Sequence, residues 1–150
     1  MNEFMKEAIN EAKKGIFDHH GGPFGAVIVK DGKIVGRGHN EVLKNNDPTC
    51  HGEIMAIHDA SKNLNTFDLS GTEIYTTGEP CPMCMGAILW ANIDKVYYGC
   101  NIKDTEEIGF RDQKFYEFLS GDKSKFIKEI DREECLKLYE VYKKIKSKKY

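Results

Sequence analysis

A chain of 150 residues, 40% of them hydrophobic, has the size of one globular domain with a sizeable core and is short for two. Its 22 basic and 24 acidic residues give a formal charge of -2. This balance excludes the strongly basic surface that binds nucleic acid or an anionic membrane, and it favours a small neutral ligand.

Hydrophobic periodicity and turn residues divide the chain into alternating elements, with no linker and no internal repeat. A helix opens after Asn2, which is placed to cap it, and a hairpin turns at Asp31-Gly32. The predicted elements after the first helix are, in chain order, strands FGAVIVK (24–30) and KIVGRGHN (33–40), a helix at about 51–62, strand TEIYTT (72–77), helix CPMCMGAILWA (81–91), strand KVYYGC (95–100), helix QKFYEFLS (113–120), strand SKFIKEI (124–130) and helix REECLKLYEVYKKIK (132–146).

This order predicts an α/β fold in which helices cover a mixed five-stranded sheet on both faces, a three-layer α/β/α sandwich. The first strand is a continuous apolar run and is expected at the centre of the sheet. We expect one domain over residues 1–150, with residues 131–150 as a C-terminal helical segment.

The cysteines and the N-terminus indicate a cytoplasmic protein. The first residues, MNEFMKEAINEAKKGIF, lack the apolar stretch of a secretion signal, and no segment approaches transmembrane length. Five cysteines, an odd number with one close pair, are not typical of a secreted disulfide framework. In a reducing compartment, a close cysteine pair more often indicates metal or redox chemistry.

Two short stretches, CHGEIMAIHDA (50–60) and TGEPCPMCMGA (77–87), contain the residues of a candidate metal site. Cys81 and Cys84 are three positions apart and face the same side of a first helical turn, for which Pro82 is a suitable opening residue. The positive end of the helix favours the thiolate forms. With the neutral nitrogen of His51, the set suits zinc, and three protein ligands leave one position open for water.

Glu53 follows the histidine by two positions and is assigned a different task. It diverges from His51 around the helix axis, so it lies beside the metal rather than binding it. From there it is placed to accept a proton from a zinc-activated water and to deliver it onward.

Other interpretations of these residues remain open at this point. The cysteine pair is also the spacing of a thioredoxin-like redox motif, or of half of a structural zinc site. We expect His58 on the surface or in the core, and Cys100 and Cys135 as small core residues. Cys50 adjoins the site and is either a core residue or a spare thiol ligand.

His51-x-Glu53 followed by Pro80-Cys81-x-x-Cys84 resembles the signature of the zinc-dependent cytidine deaminase superfamily, whose members hydrolyse an exocyclic amine from a nucleobase. The chain looks most like bacterial guanine deaminase over the segments GGPFGAVIVKDGKIVGRGHN, NDPTCHGE, EPCPMCMGAILWA, GFRD and the terminal KKY. The resemblance implies one zinc ion per subunit and hydrolysis of guanine to xanthine and ammonia, with Glu53 as the acid/base.

The resemblance also implies the polar residues of a substrate pocket. Asn40 is expected to hydrogen-bond the edge of the purine, and Asp112 to accept from its ring N–H groups. Gly52 is expected to offer a backbone N–H to the substrate, at a position where family members usually have alanine. Taken alone, Asn40 is also typical of a turn and Asp112 of a helix cap.

Three aromatic residues complete the implied pocket. Phe24 is expected as a stacking wall, with Trp90 as a weaker candidate, and Tyr150 as a lid over the site. By residue type alone, Phe24 and Trp90 are more typical of a core and Tyr150 of a frayed tail. Related deaminases are commonly dimers, so we expect a homodimer in which exchanged C-terminal segments place Tyr150 over the partner's site.

Three alternatives to guanine deamination remain. The first is a tRNA-specific adenosine deaminase, although TEEIGFRDQKF (105–115) is bulky and acidic and the only cationic run is KKIKSKK (143–149). The second is the same chemistry on cytosine, guanosine or a triazine. The third is a non-catalytic zinc-stabilised interaction module, in which Glu53 is an idle surface residue.

Overall fold

The computed structural model describes residues 1–150 and has a four-stranded sheet with helices on both faces. The strands are β1 (Gly25–Lys30), β2 (Lys33–His39), β3 (Thr72–Gly78) and β4 (Lys95–Cys100). The helices are α1 (Glu3–Phe17), α2 (Val42–Asn45), α3 (Gly52–Leu64), α4 (Pro82–Trp90), α5 (Ile102–Glu107), α6 (Asp112–Ser120) and α7 (Arg132–Lys144). None of these helices is both long enough and apolar enough to cross a membrane.

The sheet is mixed, as the sequence predicts, with the strand order β2-β1-β3-β4. Strand β1 pairs antiparallel with β2 and with β3, while β3 pairs parallel with β4 across the connection through α4. The parallel pair brings the ends of β3 and β4 to the same edge of the sheet. The loops that follow both strands therefore lie close together, and this edge contains the candidate site.

The expected fifth strand is absent, and that prediction was wrong. Residues 121–130 form neither helix nor strand, and the backbone N–H groups of Phe126 and Ile127 both donate to Lys123 O in a turn. Phe126, Ile127 and Ile130 are 77%, 60% and 67% exposed, so the segment SKFIKEI buries no apolar face against the sheet. Without a buried face, a short segment of this kind does not form a strand.

Two short helices were not predicted. Helix α5 begins with a capping box, in which the side chains of Asn101 and Asp104 each accept from the other's backbone N–H. The Asn-x-x-Asp spacing is the signal that would have identified it. Helix α2 is a single turn, to which Asn40 contributes a hydrogen bond at its start.

The core has one part on each face of the sheet. Under α3 and α4, the buried residues are mainly small or aliphatic and include Ile28, Ile74, Ala56 and Ile88. On the opposite face, α1 packs through Ala8 against a smaller cluster: Val27, Val29 and Tyr75. The sheet is thus the middle layer of three, and α3 and α4 lie together on the same face.

Helix α3 approaches the sheet closely because β2 has glycine where the two elements meet. A Cβ built on Gly38 would lie 2.4 Å from Ala56 N and 2.7 Å from Gly52 O. Only a residue without a Cβ fits this gap. The close packing fixes the height of the first turn of α3 above the sheet, and with it the positions of His51 and Glu53.

Candidate active site

Two helices begin at the candidate site, and each has a metal-ligand residue type at its N-cap. His51 precedes α3 and Cys81 precedes α4, both with extended backbone angles. Neither side chain caps its own helix, unlike most polar N-cap residues. Cys84 lies one turn into α4, so the three side chains converge between the two helix starts.

The distances between these side chains fit a zinc site. His51 Nδ1 lies 3.5 Å from Cys81 Sγ and 3.6 Å from Cys84 Sγ. In a tetrahedral site with bonds of about 2.3 Å to sulfur and 2.0–2.1 Å to nitrogen, the two atom types lie about 3.5 Å apart. One nitrogen and two thiolates are suitable zinc donors, and the histidine and both cysteines are at least half-buried. This donor set leaves a fourth position free.

The electrostatics of the cluster favour a negative charge on sulfur. The hydrogen bond from Cys84 outweighs burial and, with the hydrogen bond to His51, lowers the pKa of Cys81 to about 4. The same hydrogen bond, followed by burial, raises the pKa of Cys84. The hydrogen bond to Cys81 raises the pKa of His51. A divalent metal ion would displace these protons, because it binds the thiolate and neutral imidazole forms.

Glu53 lies in the first turn of α3 with only 5% of its surface exposed. Burial is the largest cause that raises the pKa of its carboxyl group, and the nearby charge of Cys81 adds to it. A raised pKa lowers the cost of the protonated form, which a carboxyl group that both accepts and releases a proton must adopt. Glu53 also lines the cavity in front of the cysteine and histidine ligands.

The cavity has a volume of about 1070 Å³ and opens to solvent. The predicted site residues that line it come from five separate segments of the chain: Phe24, Asn40, His51, Glu53, Cys81 and Asp112. Aromatic side chains of α6 and its flanks form much of the remaining wall, while Gly21, Gly22 and Gly78 leave space near Phe24. The result is a mostly apolar cleft with few polar groups, which is typical of a small-molecule site.

The amide of Asn40 has a defined orientation. Its Oδ1 atom accepts from the backbone N–H of Val42 at 3.1 Å, and the side chain is buried. Gly21 packs directly against it, since a Cβ at Gly21 would lie 2.0 Å from Oδ1. This arrangement leaves the Nδ2 donor for the cavity.

Phe24 and Asp112 both line this cleft. The ring of Phe24 packs edge-on against Phe110, with ring centroids 4.9 Å apart and an interplanar angle of 80°. Asp112 is the first residue of α6 and is half-buried. Burial first, and then the charge of Cys81, raise the pKa of its carboxyl group.

The other three expected substrate contacts lie elsewhere in the chain. Gly52 is buried beneath the site, and a Cβ there would lie 2.9 Å from Phe24 O. Trp90 is at the far end of α4 and is 67% exposed. Tyr150 is 80% exposed and packs beside Trp90 and Phe67, with centroid distances of 5.8 and 6.2 Å. Neither Trp90 nor Tyr150 reaches the cavity of its own chain.

The structure adds site residues that sequence reasoning missed. Tyr116 donates its hydroxyl to Pro80 O at 2.6 Å and thereby holds α6 against the loop that precedes Cys81. Burial raises the pKa of Tyr116 to about 12. Glu79 lines the cavity and accepts from the backbone N–H of Ile102 at 2.9 Å. No local pattern in the sequence indicated Tyr116. Phe110 lies within the GFRD segment that contributes to the family resemblance, but of that segment only Asp112 was predicted to line the site.

Comparisons with known proteins agree with this geometry. Residues 1–100 match the cytidine and deoxycytidylate deaminase zinc-binding region. The guanine deaminase of Bacillus subtilis (strain 168) is 48% identical over 113 residues, which cover 75% of this chain and 72% of that protein. A tRNA-specific adenosine deaminase of Buchnera aphidicola is 39% identical over 116 residues, or 77% of this chain and 76% of the relative.

Solved structures extend the likeness to the whole chain. The X-ray structure of guanine deaminase from Bacillus subtilis has a TM-score of 0.92 and 39% identity, over 100% of this chain and 99% of that one. A guanine deaminase from Nitrosomonas europaea has a TM-score of 0.68 and 31% identity, over 71% of this chain and 62% of that one. The chain therefore belongs to the cytidine and deoxycytidylate deaminase zinc-binding family, as its two motifs predicted.

Proposed function

We propose that this protein is a zinc-dependent guanine deaminase, which converts guanine and water to xanthine and ammonia. The observation that carries the proposal is the buried Glu53 carboxyl group beside the His51, Cys81 and Cys84 cluster, at the base of a cleft. The extent of the likeness to the guanine deaminase of Bacillus subtilis supports guanine as the substrate.

One zinc ion per chain would be held by His51, Cys81 and Cys84. When bound, it supplies a Lewis acid that lowers the pKa of a water molecule toward neutrality. The start of α4 places one thiolate at the positive end of the helix, and the close packing of α3 fixes the position of the His51 imidazole. These ligands also leave Glu53 uncoordinated and free to exchange protons.

Glu53 transfers two protons in this mechanism. Its carboxylate accepts one proton from the attacking water and donates it to a ring nitrogen, while the water oxygen bonds to C2 of guanine. It then accepts the second proton from that oxygen and donates it to the exocyclic amine. The C2–N bond breaks, ammonia leaves, and the carboxylate is regenerated. Burial of Glu53 suits this role, because the raised pKa reduces the cost of its protonated form.

The polar groups of the cleft complement a guanine edge. Since Oδ1 of Asn40 is engaged by Val42 N, its Nδ2 donates to an acceptor of the base, such as the O6 or N7 of guanine. Asp112 accepts from ring N–H groups, and Phe24 packs against the face of the base. Adenine has an amino group where guanine has O6, so an Asn40 donor facing that position disfavours adenine.

We also propose a homodimer in which the C-terminal segments are exchanged. Every residue from 124 to 150 is exposed in the single chain, and α7 has no buried residue although it is amphipathic. An isolated helix of this length is marginal in water and requires a surface to pack on. Its apolar residues include Leu136, Leu138, Tyr139 and Val141. A second copy would bury these residues and bring Tyr150 over the partner's cavity.

The cellular setting is part of the same proposal. All five cysteines are free, and the zinc ligands require reduced thiols. We therefore propose a cytoplasmic enzyme of purine base breakdown or salvage.

Ammonia release from the zinc-loaded protein tests the proposal. The substrates are guanine, guanosine, cytosine, adenine, a triazine base and a tRNA anticodon stem-loop, at equal concentration. We expect guanine to give the highest kcat/KM. Preference for the stem-loop would indicate the tRNA adenosine activity carried by the more distant relatives, and preference for another base would reassign the substrate. Tight zinc binding with no ammonia from any of them would indicate a non-catalytic zinc module.

A further inference from the structure

A second group of metal-ligand side chains lies outside the cleft. His20 follows α1, His39 ends β2 and Glu41 precedes α2. One ligand atom from each of the three lies within 4.8 Å of the others. His20 Nδ1 is 2.9 Å from His39 Nε2, and His39 Nε2 is 3.6 Å from Glu41 Oε1. None of the three residues lines the cleft around Glu53.

The imidazole of His39 is held by a buried carboxylate. Its Nδ1 lies 3.2 Å from Glu11 Oε2, and the Glu11 side chain is 8% exposed. The other oxygen of this carboxylate, Oε1, accepts from Lys14 Nζ at 2.8 Å. Since Nδ1 of His39 is directed at Glu11, its Nε2 atom faces His20 and Glu41.

This arrangement matches the support that proteins give to metal-bound histidine, whose second nitrogen usually donates to a carboxylate or a carbonyl. Glu41 has support of the same kind, since its Oε2 accepts from Asn45 Nδ2 at 3.0 Å while Oε1 faces His39. The backbone carbonyl of His20 accepts from the N–H groups of Leu43 and Lys44, which ties the loop after α1 to α2. Lys44 Nζ also lies 3.8 Å from Glu41 Oε1, so an ion bound there would replace this ion pair.

The separation between the two histidines suits an ion with ligands at right angles once their direct contact opens. Two nitrogen ligands about 2.1 Å from an ion lie about 3.0 Å apart at right angles and about 3.4 Å apart in a tetrahedron. The observed 2.9 Å between His20 Nδ1 and His39 Nε2 is close to the first value and is also the length of an N–H···N hydrogen bond, which an ion would replace. Glu41 Oε1 requires a shift of about half an ångström, which its partly exposed side chain allows.

The site is accessible from solvent. A separate cavity of about 360 Å³ is lined by Glu11, His39 and Glu41, together with Arg37, His58 and Asp59 among other residues. Nearly all the lining residues are polar or charged. This cavity gives a hydrated cation access to His39 and Glu41 that does not pass through the deaminase cleft.

We propose that His20, His39 and Glu41 bind a second divalent transition-metal ion, of the zinc, nickel or cobalt class, without a thiolate ligand. Two imidazole nitrogens and one carboxylate are donors typical of such ions. The ion would cross-link two loops of the cleft wall, because Gly21 follows His20 and because Asn40 lies between His39 and Glu41. Its role is to stabilise the pocket wall, in contrast to the catalytic ion bound by His51, Cys81 and Cys84.

Equilibrium dialysis against Zn²⁺, followed by metal analysis of the protein, tests the proposal. We expect two ions per chain in the wild-type protein and one in each of His20→Gln and Glu41→Gln. His51→Ala should lose the thiolate site but keep the second ion. His58→Gln is the matched control, because this exposed histidine borders the same cavity but is outside the ligand set, and it should bind two ions. Glu11→Gln should weaken binding of the second ion by about 10- to 100-fold.

Cobalt replacement identifies which site each ion occupies. Co²⁺ bound by thiolates has a sulfur-to-metal charge-transfer absorption, which an ion bound by nitrogen and oxygen lacks. The second Co²⁺ equivalent should add no such absorption, and His51→Ala should bind one Co²⁺ without it. The proposal is overturned if the wild-type protein saturates at one ion per chain, or if His20→Gln and Glu41→Gln both retain two. In that case, His20 and His39 form only a hydrogen bond.

Discussion

Replacement of Gly38 by alanine tests how the fold positions the site. The new Cβ would lie 2.4 Å from Ala56 N, whereas ordinary contacts begin at 3.4 Å, so this contact alone is 3.4 - 2.4 = 1.0 Å too close. Gly52 O and Met55 C would each lie at 2.7 Å. All three atoms belong to the backbone of α3, so they cannot rotate away from the new Cβ. The helix must therefore move off the sheet.

The cost is expected at the upper end of the range for overpacking, about 3 kcal/mol. For a domain of this size, 1 kcal/mol lowers Tm by about 2–4 °C, so Gly38→Ala should lower Tm by about 6–12 °C. The movement of α3 also shifts His51 away from Cys81 and Cys84. Zinc affinity should fall together with stability, although no ligand has been changed.

Gly86→Ala is the matched control. Gly86 lies in α4, and a Cβ there has nothing within 4 Å. Alanine should raise the free energy of unfolding by about 0.5–1 kcal/mol through its lower conformational entropy in the unfolded chain. Thermal unfolding followed by circular dichroism, and zinc titration with a competing chelator, measure both effects. If the Gly38→Ala protein had wild-type Tm and zinc affinity, the claim that close packing against Gly38 positions α3 would be wrong.

Three further predictions concern the site itself. His51→Ala and Cys81→Ala should each lose the zinc ion of the thiolate site on metal analysis, and full occupancy of that site in either variant would contradict the ligand set. Asn40→Asp keeps an acceptor for Val42 N but replaces the Nδ2 donor, so KM for guanine should rise by about 10- to 100-fold at unchanged zinc content, and an unchanged KM would exclude this contact. Removal of residues 147–150 should abolish most turnover. Activity should return when this truncated chain is refolded together with the full-length Glu53→Gln chain. In the hybrid dimer, the truncated chain supplies an intact active site and the Glu53→Gln chain supplies the C-terminal segment that covers it. Equal activity before and after mixing would argue against exchange.

The metal cluster was accessible to sequence analysis because its geometry is local. Cys81 and Cys84 lie within one helical turn, and His51 is the residue before another helix, so the spacing alone orients each side chain. Glu53 followed from the same local reasoning. The one feature that local spacing does not predict is that the starts of α3 and α4 converge. This convergence depends on the tertiary fold, in which β3 pairs parallel with β4.

Features that depend on distant contacts were not accessible in the same way. The fifth strand was predicted from the short segment SKFIKEI, but no neighbouring strand covers residues 124–130, and Phe126 is left exposed. Tyr116 contacts Pro80 across 36 positions of sequence, and His20 meets His39 across 19. Contacts between residues so far apart in the chain produce no periodic pattern in the sequence. Trp90 lies at the exposed end of its helix, where the apolar run CPMCMGAILWA gave no indication of which side faces solvent.

The central claim is that Glu53 transfers protons in a zinc site that acts on guanine. The most direct measurement compares zinc content and ammonia release from guanine in one preparation of Glu53→Gln, with Glu73→Gln as the same substitution outside the cleft. We predict that both variants retain one zinc ion at the thiolate site, and that Glu53→Gln loses nearly all turnover while Glu73→Gln keeps it. Near wild-type ammonia release from zinc-loaded Glu53→Gln would contradict the mechanism.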